Sequence, residues 1–196
     1  LWLISLLPYR LLAFLGRGLG SLLFLLAGRR AHIVVTDLRL CCAALADGNR
    51  VNLKIQDFRA LGQAVIGTGV DWVASHRRLL RLTRGRDPHY FDAAIAAGKP
   101  VILLAPHFVG MEIAGLVLAP ERHMLSMYQP IRNPLVDYLV RRGRERFGGI
   151  LIDHRAPLRQ TVQLVRNGSP FYYLPDQDPG SGDKVFAPFF GIPVAV

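Results

Sequence analysis

The chain has 196 residues, enough for one globular domain with a sizeable hydrophobic core. Apolar residues make up 51% of it and charged residues 19%, a composition that excludes an intrinsically disordered chain and favours contact with a membrane. Lysine and arginine number 24 against 14 acidic residues, so the net charge of +10 predicts an anionic partner, which is a nucleic acid, a membrane surface or an acidic protein.

The N-terminal segment is strongly hydrophobic. Residues 1–28 contain 19 apolar residues and two charged ones, Arg10 and Arg17. The longest uncharged run, residues 18–28, is shorter than the ~20 residues that a membrane-spanning helix requires. On a helix Arg10, Arg17 and Ser21 share one narrow stripe, and the other faces are apolar. This pattern favours a helix in the membrane interface with its arginines near lipid phosphates, and a buried core helix is the alternative.

We therefore assign residues 1–30 to a membrane-anchoring segment and residues 31–196 to a folded domain in which helices alternate with short apolar strands. The predicted helices cover residues 57–82, 89–97, 134–147 and 157–166. The predicted strands cover residues 100–105, 124–128, 150–152 and 171–174. This alternation predicts an α/β fold whose mostly parallel sheet is flanked by helices, with functional sites at the carboxyl ends of the strands.

Capping residues mark several of these boundaries. Asp57 is a candidate N-cap for the helix over 57–82. Asn133 and Pro134 are typical of a helix start, and Gly148-Gly149 of a helix end.

A histidine and a glutamate follow the strand that ends at Ala105. His107 lies at the carboxyl end of that strand and Glu112 in the first turn of the next helix, so a potential base lies beside a potential orienting carboxylate. The spacing His-x4-acid is weak by itself, since His32 and Asp37 match it too, without the strand-to-helix context. A structural role is the alternative for His107.

A second polar cluster follows the strand that ends at residue 174. Asp176 and Asp178 offer hard oxygen ligands for a divalent cation, but the surrounding turn-forming residues favour an Asx-rich turn. No Walker motif accompanies them, so a nucleotide site lacks support. The adjacent Cys41 and Cys42 fit no zinc motif and no secreted disulfide framework, which indicates packed thiols in a reducing compartment. We predict no metal and no cofactor.

Seven arginines form a basic cluster on and around the helix over 134–147. They are Arg132, Arg141, Arg142, Arg144, Arg146, Arg155 and Arg159. A solvated helix face accounts for them without any function. Their position beside the predicted carboxyl edge is also consistent with binding of phosphate or an acidic protein, because a guanidinium binds phosphate bidentately. Nucleic acid is disfavoured, since none of the common nucleic-acid-binding signatures occurs.

Three blocks of sequence carry a family resemblance. They are residues 101–112 (VILLAPHFVGME), residues 127–148 (MYQPIRNPLVDYLVRRGRERFG), and residues 171–180 (FYYLPDQDPG) with 185–193 (VFAPFFGIP). In order and spacing, these blocks and the hydrophobic N-terminal segment resemble the bacterial lipid A biosynthesis acyltransferases, the late acyltransferase family that includes lauroyl and myristoyl enzymes. The likeness covers nearly the whole chain.

The resemblance implies transfer of a fatty acyl group from acyl carrier protein to a hydroxyl of a lipid A precursor, at the cytoplasmic face of the bacterial inner membrane. It implies that His107 is the general base and Glu112 its partner, with no covalent acyl-enzyme. The matched blocks also supply candidate substrate-binding residues. These are Arg144, Asp176, Asp178 and Arg132.

Two departures from the family pattern bear on this interpretation. Many relatives carry His-Phe-Gly-Asn-Trp-Glu at the dyad, whereas residues 108–111 here are Phe-Val-Gly-Met. Family members also continue past the Gly-Ile-Pro motif, so we expect the acyltransferase domain over 31–196 to be incomplete at its C-terminal end and inactive alone.

Three other functions stay open from the sequence. The first is the same chemistry on another glycolipid or a lysophospholipid. The second is a non-catalytic membrane-bound binding protein with the same fold. The third is a metal-dependent glycosyltransferase that uses Asp176 and Asp178, and it predicts sensitivity to chelators.

Overall fold

The computed structural model describes residues 2–26, 28–85, 87, 89–120, 122–176 and 184–195. The helices are α1 (Trp2–Leu6), α2 (Tyr9–Leu26), α3 (Gly28–Cys41), α4 (Asp47–Asp71), α5 (His76–Leu82), α6 (His89–Ala96), α7 (Met111–Leu118), α8 (Pro134–Glu145) and α9 (Leu158–Arg166). The strands are β1 (Ile102–Leu104), β2 (Leu125–Tyr128), β3 (Ile150–Asp153), β4 (Phe171–Tyr173), β5 (Phe186–Phe189) and β6 (Ile192–Ala195). The chain divides into two compact units, one of residues 1–5 and 69–175 and one of residues 6–68 and 176–196.

The first unit contains a parallel sheet in the order β1-β4-β2-β3. Leu103 pairs with Tyr172, and Ser126 pairs with both Tyr172 and Leu151. Because right-handed crossovers connect parallel strands, α7 and α8 cover one face of the sheet and α9 the other. The prediction of an α/β fold with a parallel sheet flanked by helices is confirmed.

The core on the α9 face follows from the alternation of side chains along the strands. Leu125, Ile152 and Phe171 are buried there against Val165 of α9. Tyr172 lies between Phe171 and Tyr173 and therefore points to the opposite face, toward α7. The apolar strands thus fill one face with core side chains and present a tyrosine to the helix that carries Glu112.

The start and end of α8 are formed as predicted. The Asn133 side chain accepts hydrogen bonds from the backbone N–H groups of Leu135 (3.0 Å) and Val136 (3.2 Å), which would otherwise lack partners at a helix start. After the helix, Gly148 adopts a φ of +88°, a conformation that costs glycine little.

The prediction of one helix over 57–82 is wrong. The segment belongs to two helices, α4 and α5, separated at residues 72–75, and α4 starts ten residues before Asp57. The break has a physical cause at Ser75, whose backbone is extended and whose hydroxyl accepts from the backbone N–H of Arg78, so that a new helix begins there. Asp57 lies inside α4 and caps nothing.

In the second unit α2 packs closely on α4 through glycines. A Cβ on Gly20 would lie 2.2 Å from the carbonyl oxygen of Phe58, and one on Gly62 would lie 2.2 Å from the carbonyl oxygen of Gly16. Arg59 donates from Nε to the Ser21 hydroxyl at 3.2 Å. Ser21, which was predicted to share a stripe of the helix with Arg10 and Arg17, therefore contacts α4.

The face of α2 away from α4 is exposed and apolar, with Phe14, Leu15, Leu22 and Leu25 on it. Within the described part of the chain, one helix is long and apolar enough, by length and composition, to cross a membrane, and that helix is α2. The location of this helix in the membrane interface stays a prediction. The same unit contains an antiparallel hairpin of β5 and β6, for which the sequence analysis predicted no strands.

Candidate functional site

His107 and Glu112 lie on the elements that the sequence predicted. The β1 ladder ends where the Ala105 N–H donates to the Tyr173 carbonyl at 2.9 Å. A tight turn follows, in which the Met111 N–H donates to the Phe108 carbonyl at 3.0 Å and opens α7. His107 is exposed in this turn, and Glu112 occupies the first turn of α7.

The carboxylate of Glu112 is bound by Arg144 of α8. The guanidinium Nε lies 3.1 Å from both Oε1 and Oε2, and Nη2 donates to Oε1 as well. The pair is mostly withdrawn from water, with 16% of the Glu112 side chain and 28% of the Arg144 side chain exposed. A forked, partly buried pair of this kind fixes the carboxylate orientation far better than an exposed ion pair does.

Asp71, at the end of α4, is a neighbour of this pair that the sequence analysis missed. Burial, and secondly the negative charge of Glu112, raise the pKa of Asp71 to about 7. A signal exists in the sequence, because Asp71 is a single acid within the apolar run Val-Asp-Trp-Val-Ala over residues 70–74. Such a run makes a buried carboxylate expected wherever the segment packs.

Tyr172 of β4 supports the start of α7 from the sheet side. Its hydroxyl donates to the Met111 carbonyl at 3.2 Å. Burial, and then the charge of Glu112, raise the pKa of Tyr172, so the hydroxyl keeps its proton. The residue before Glu112 is thereby anchored to the sheet.

The C-terminal end of α8 also holds the end of α4. Arg146 donates from Nη1 to the Asp71 carbonyl at 3.1 Å and from Nη2 to the Ala74 carbonyl. Trp72 packs on Gly143, where an added Cβ would come within 2.4 Å of the indole ring. These contacts hold the end of α4 against the C-terminal end of α8.

The arginines of the predicted basic cluster make different contacts. Arg144 binds Glu112 and Arg146 binds backbone carbonyls, whereas Arg141 pairs with Glu145 at 3.6 Å on the exposed side of α8. At the end of β3, Arg155 is paired with Asp153 at 2.9 Å. Three of the seven arginines are therefore paired with carboxylates of the described residues, namely Arg141, Arg144 and Arg155.

The loop after β2 carries Arg132, whose side chain is exposed. This loop is tied to α8 through Asp137, which accepts hydrogen bonds from the Tyr128 hydroxyl and from the Ile131 N–H at 2.7 Å. The Tyr128 hydrogen bond is also the main cause that lowers the pKa of Asp137. Arg132 thus extends from an anchored loop at the carboxyl edge of the sheet.

Of the two aspartates predicted as site residues after β4, the structure describes one. Asp176 follows the strand by three residues and belongs to the second unit, whereas Asp178 lies outside the described residues. Within the described parts of the chain, no group of three or more His, Cys, Asp or Glu side chains is arranged to hold a metal ion.

Comparison with known proteins agrees with the resemblance. Residues 1–196 match the family described as bacterial lipid A biosynthesis acyltransferase. The chain is 30% identical over 192 residues to the lipid A biosynthesis lauroyltransferase of Escherichia coli K12, covering 98% of this chain and 62% of that protein. It is 31% identical over 189 residues to a lipid A biosynthesis acyltransferase of Haemophilus influenzae, covering 95% of this chain and 60% of that protein.

A third relative, the lipid A biosynthesis palmitoleoyltransferase of Escherichia coli K12, is 31% identical over 192 residues, with 98% of this chain and 62% of the relative covered. The fold and the matched blocks define a protein of the lipid A acyltransferase type. The chain belongs to the family of bacterial lipid A biosynthesis acyltransferases. It spans 60% to 62% of the length of these three relatives.

Proposed function

We propose that the protein transfers a fatty acyl chain from the thioester of acyl carrier protein to a hydroxyl group of a lipid A precursor. The observation that carries this proposal is the half-buried Glu112–Arg144 pair directly after the His107 turn, in a chain that belongs to this family. A carboxylate fixed by a forked guanidinium is suited to orienting a neighbouring imidazole through one transfer cycle after another.

In the proposed reaction, the oxygen of the acceptor hydroxyl attacks the thioester carbonyl carbon while His107 takes the proton from that hydroxyl. The carbon–sulfur bond then breaks, and the thiol of the carrier leaves with a proton returned from the imidazolium. Glu112 stabilises the imidazolium form, and Arg144 keeps the carboxylate of Glu112 in place. General-base assistance of this kind contributes a factor of about 10² to 10⁴ in rate.

The donor thioester is already activated, so the proposed reaction needs no metal and no cofactor. We further propose that Arg132, Asp176 and Asp178 contact the substrates. Arg132 is exposed on the anchored loop after β2, where a guanidinium can reach a phosphate group of the acceptor.

Membrane association is supported by two independent features. The apolar face of α2 is exposed in its own unit, and the net charge of +10 favours a surface of anionic lipid and an acidic donor protein. We propose the cytoplasmic face of the bacterial inner membrane as the location, since acyl carrier protein is a cytoplasmic donor.

The test uses membranes containing the protein expressed from its complete open reading frame. A panel of acyl carrier protein thioesters of different chain lengths is supplied with a lipid A precursor, and the products are weighed by mass spectrometry. The proposal predicts a mass gain of one acyl chain for a subset of donors, and no effect of chelators. A gain seen only with a lysophospholipid or another glycolipid would reassign the acceptor, and a chelator-sensitive sugar transfer would replace the proposal.

A further inference from the structure

The two ends of the parallel sheet differ in what they expose. Because the strands are parallel, the connections that lead from them into α7, α8 and α9 all lie at the carboxyl edge of the sheet. These connections and the first helix turns after them carry large exposed apolar side chains. They include Phe108 (72% exposed), Val109 (50%), Ile131 (39%), Leu135 (67%) and Leu158 (69%), five side chains that we call the apolar rim.

The amino edge of the same sheet lacks such side chains. Its connections cover residues 97–101, 119–124, 146–149 and 167–170. Among the residues that the structure describes there and in the helix turns just before, none carries a large exposed apolar side chain. Single apolar side chains on a soluble surface are scattered, so their concentration at one edge indicates a contact surface.

The connection after β2 holds its part of the rim on an ordered backbone. The Ile131 N–H donates to the carboxylate of Asp137 at 2.7 Å, and the Leu135 N–H donates to the Asn133 side chain at 3.0 Å. Contact with a partner therefore costs this connection little conformational entropy.

The charge around the rim favours an anionic partner. Arg132 and Arg159 are exposed, and each is adjacent in sequence to a residue of the rim. Two acids of the same region are already bound, because Asp137 accepts hydrogen bonds from its own connection and Asp153 is paired with Arg155. The N-terminal ends of α7, α8 and α9 add positive potential at this edge.

Apolar side chains combined with arginines are typical of proteins that bind the interface of an anionic bilayer. An acidic protein would satisfy the arginines but would leave the aliphatic side chains without an apolar environment. The rim extends over three strand spacings, about 14 Å from β1 to β3, so one bilayer surface can contact all of it.

We propose that the apolar rim inserts into the interface of an anionic bilayer, so that the carboxyl edge of the sheet faces the lipid. This contact is distinct from that of α2, which belongs to the other unit. Its consequence for catalysis rests on the proposed function: the acceptor lipid presents its hydroxyl to His107 without leaving the membrane. The bilayer contact itself does not depend on that function.

The first test locates the rim relative to the lipid and needs no substrate. The protein expressed from its complete open reading frame, with its cysteines replaced by serine, is reconstituted in vesicles of phosphatidylethanolamine and phosphatidylglycerol. A polarity-sensitive fluorophore is attached at Leu135→Cys or Leu158→Cys, and at Lys99→Cys as the matched control in an exposed turn of the amino edge. Spin-labelled lipids should quench both rim positions more strongly than the control, by roughly threefold or more.

Three results of this test would overturn the proposal. Equal quenching at all three positions would mean that the carboxyl edge has no preferred contact with the bilayer. Emission typical of an apolar environment without quenching would mean that protein, from this chain or from a partner, covers the rim. Quenching that is unchanged when phosphatidylcholine replaces phosphatidylglycerol would contradict the role of anionic lipid.

The second test measures the consequence for acyl transfer. An aspartate is favourable in the first turn of a helix, so Leu135→Asp and Leu158→Asp should fold. We expect each to raise the apparent KM for a lipid A precursor in vesicles by roughly tenfold, and Lys99→Asp to keep the wild-type KM. An unchanged KM in both rim variants would contradict the inference. A wild type that is quenched at the rim but transfers no acyl group would instead count against the proposed function alone.

Discussion

Arg144 of α8 binds both carboxylate oxygens of Glu112 of α7, with its Nε at 3.1 Å from each. The two residues are 32 positions apart in the chain and meet on one face of the parallel sheet. Because Glu112 lies in the first turn of the helix that follows the His107 turn, this contact connects the position of α8 to the proposed catalytic histidine.

Replacing Arg144 separates the effect of charge from the effect of the forked geometry. Arg144→Ala leaves Glu112 without its partner and is expected to lower kcat by about tenfold or more, while Arg144→Lys keeps the charge, loses the fork and falls in between. Initial rates of acyl transfer give the comparison, and Arg141→Ala is the control because Arg141 pairs with Glu145 on the exposed side of α8. Equal activity of all three variants would contradict a role for Arg144 in positioning Glu112.

The stability of the protein should depend on pH through Asp71. Its pKa is raised from 3.8 to about 7 in the folded chain, so folding takes up a proton and the stabilisation present below pH 3.8 is lost as the pH rises through about 7. Asp71→Asn does not ionise, so its stability relative to the wild type increases across this window. Unfolding by urea in detergent at about pH 5 and about pH 8 measures the difference, and a relative stability that is constant with pH would contradict the assignment.

Gly143 should tolerate no side chain. A Cβ there would meet the Trp72 ring at 2.4 Å, so Gly143→Ala is expected to destabilise the protein by about 1–3 kcal/mol and to displace the end of α4 from α8. Gly67→Ala in α4 is the control, because nothing lies within 4 Å of its Cβ position and alanine favours a helix. Thermal unfolding should rank Gly143→Ala below the wild type and Gly67→Ala at or above it.

The packing of α2 on α4 gives a second pair of glycine variants, two residues apart. Gly20→Leu would drive its side chain into the Phe58 backbone, whereas Gly18 has open space around its Cβ position. We expect Gly20→Leu to separate the two helices and lower the unfolding temperature, and Gly18→Leu to leave both unchanged. Cysteine cross-linking between α2 and α4 reports the separation directly, and identical cross-linking of both variants would contradict the close packing.

Sequence reasoning found the parts of the fold that local chemistry determines. The Asn133 cap, the helix end at Gly148 and the short apolar strands are encoded within a few residues, and all three occur in the structure. The helix break at Ser75 was missed, because a serine within a helical pattern is as often a surface residue as a cap.

The site was predicted only as far as its local sequence reached. His107 and Glu112 lie within one strand-to-helix connection, so their placement could be predicted from their spacing together with that local context. The contact of Arg144 with Glu112 could not be predicted, because it depends on how α8 packs against α7. The apolar run around Asp71 indicates a buried carboxylate, but it does not indicate which helix covers it. Such contacts between distant helices leave no periodic signal in a single sequence.

We propose that His107 is the general base of acyl transfer. The chain contains two His-x4-acid matches, one at His107 and one at His32, and the most direct test compares variants of these two histidines. Initial rates of transfer from an acyl carrier protein thioester are compared for His107→Ala and His32→Ala, where His32 is an exposed residue of α3. We predict that His107→Ala loses a factor of about 10² to 10⁴ in kcat with unchanged folding, and that His32→Ala keeps the wild-type rate. A folded His107→Ala protein that transfers acyl groups as fast as the wild type would contradict the account.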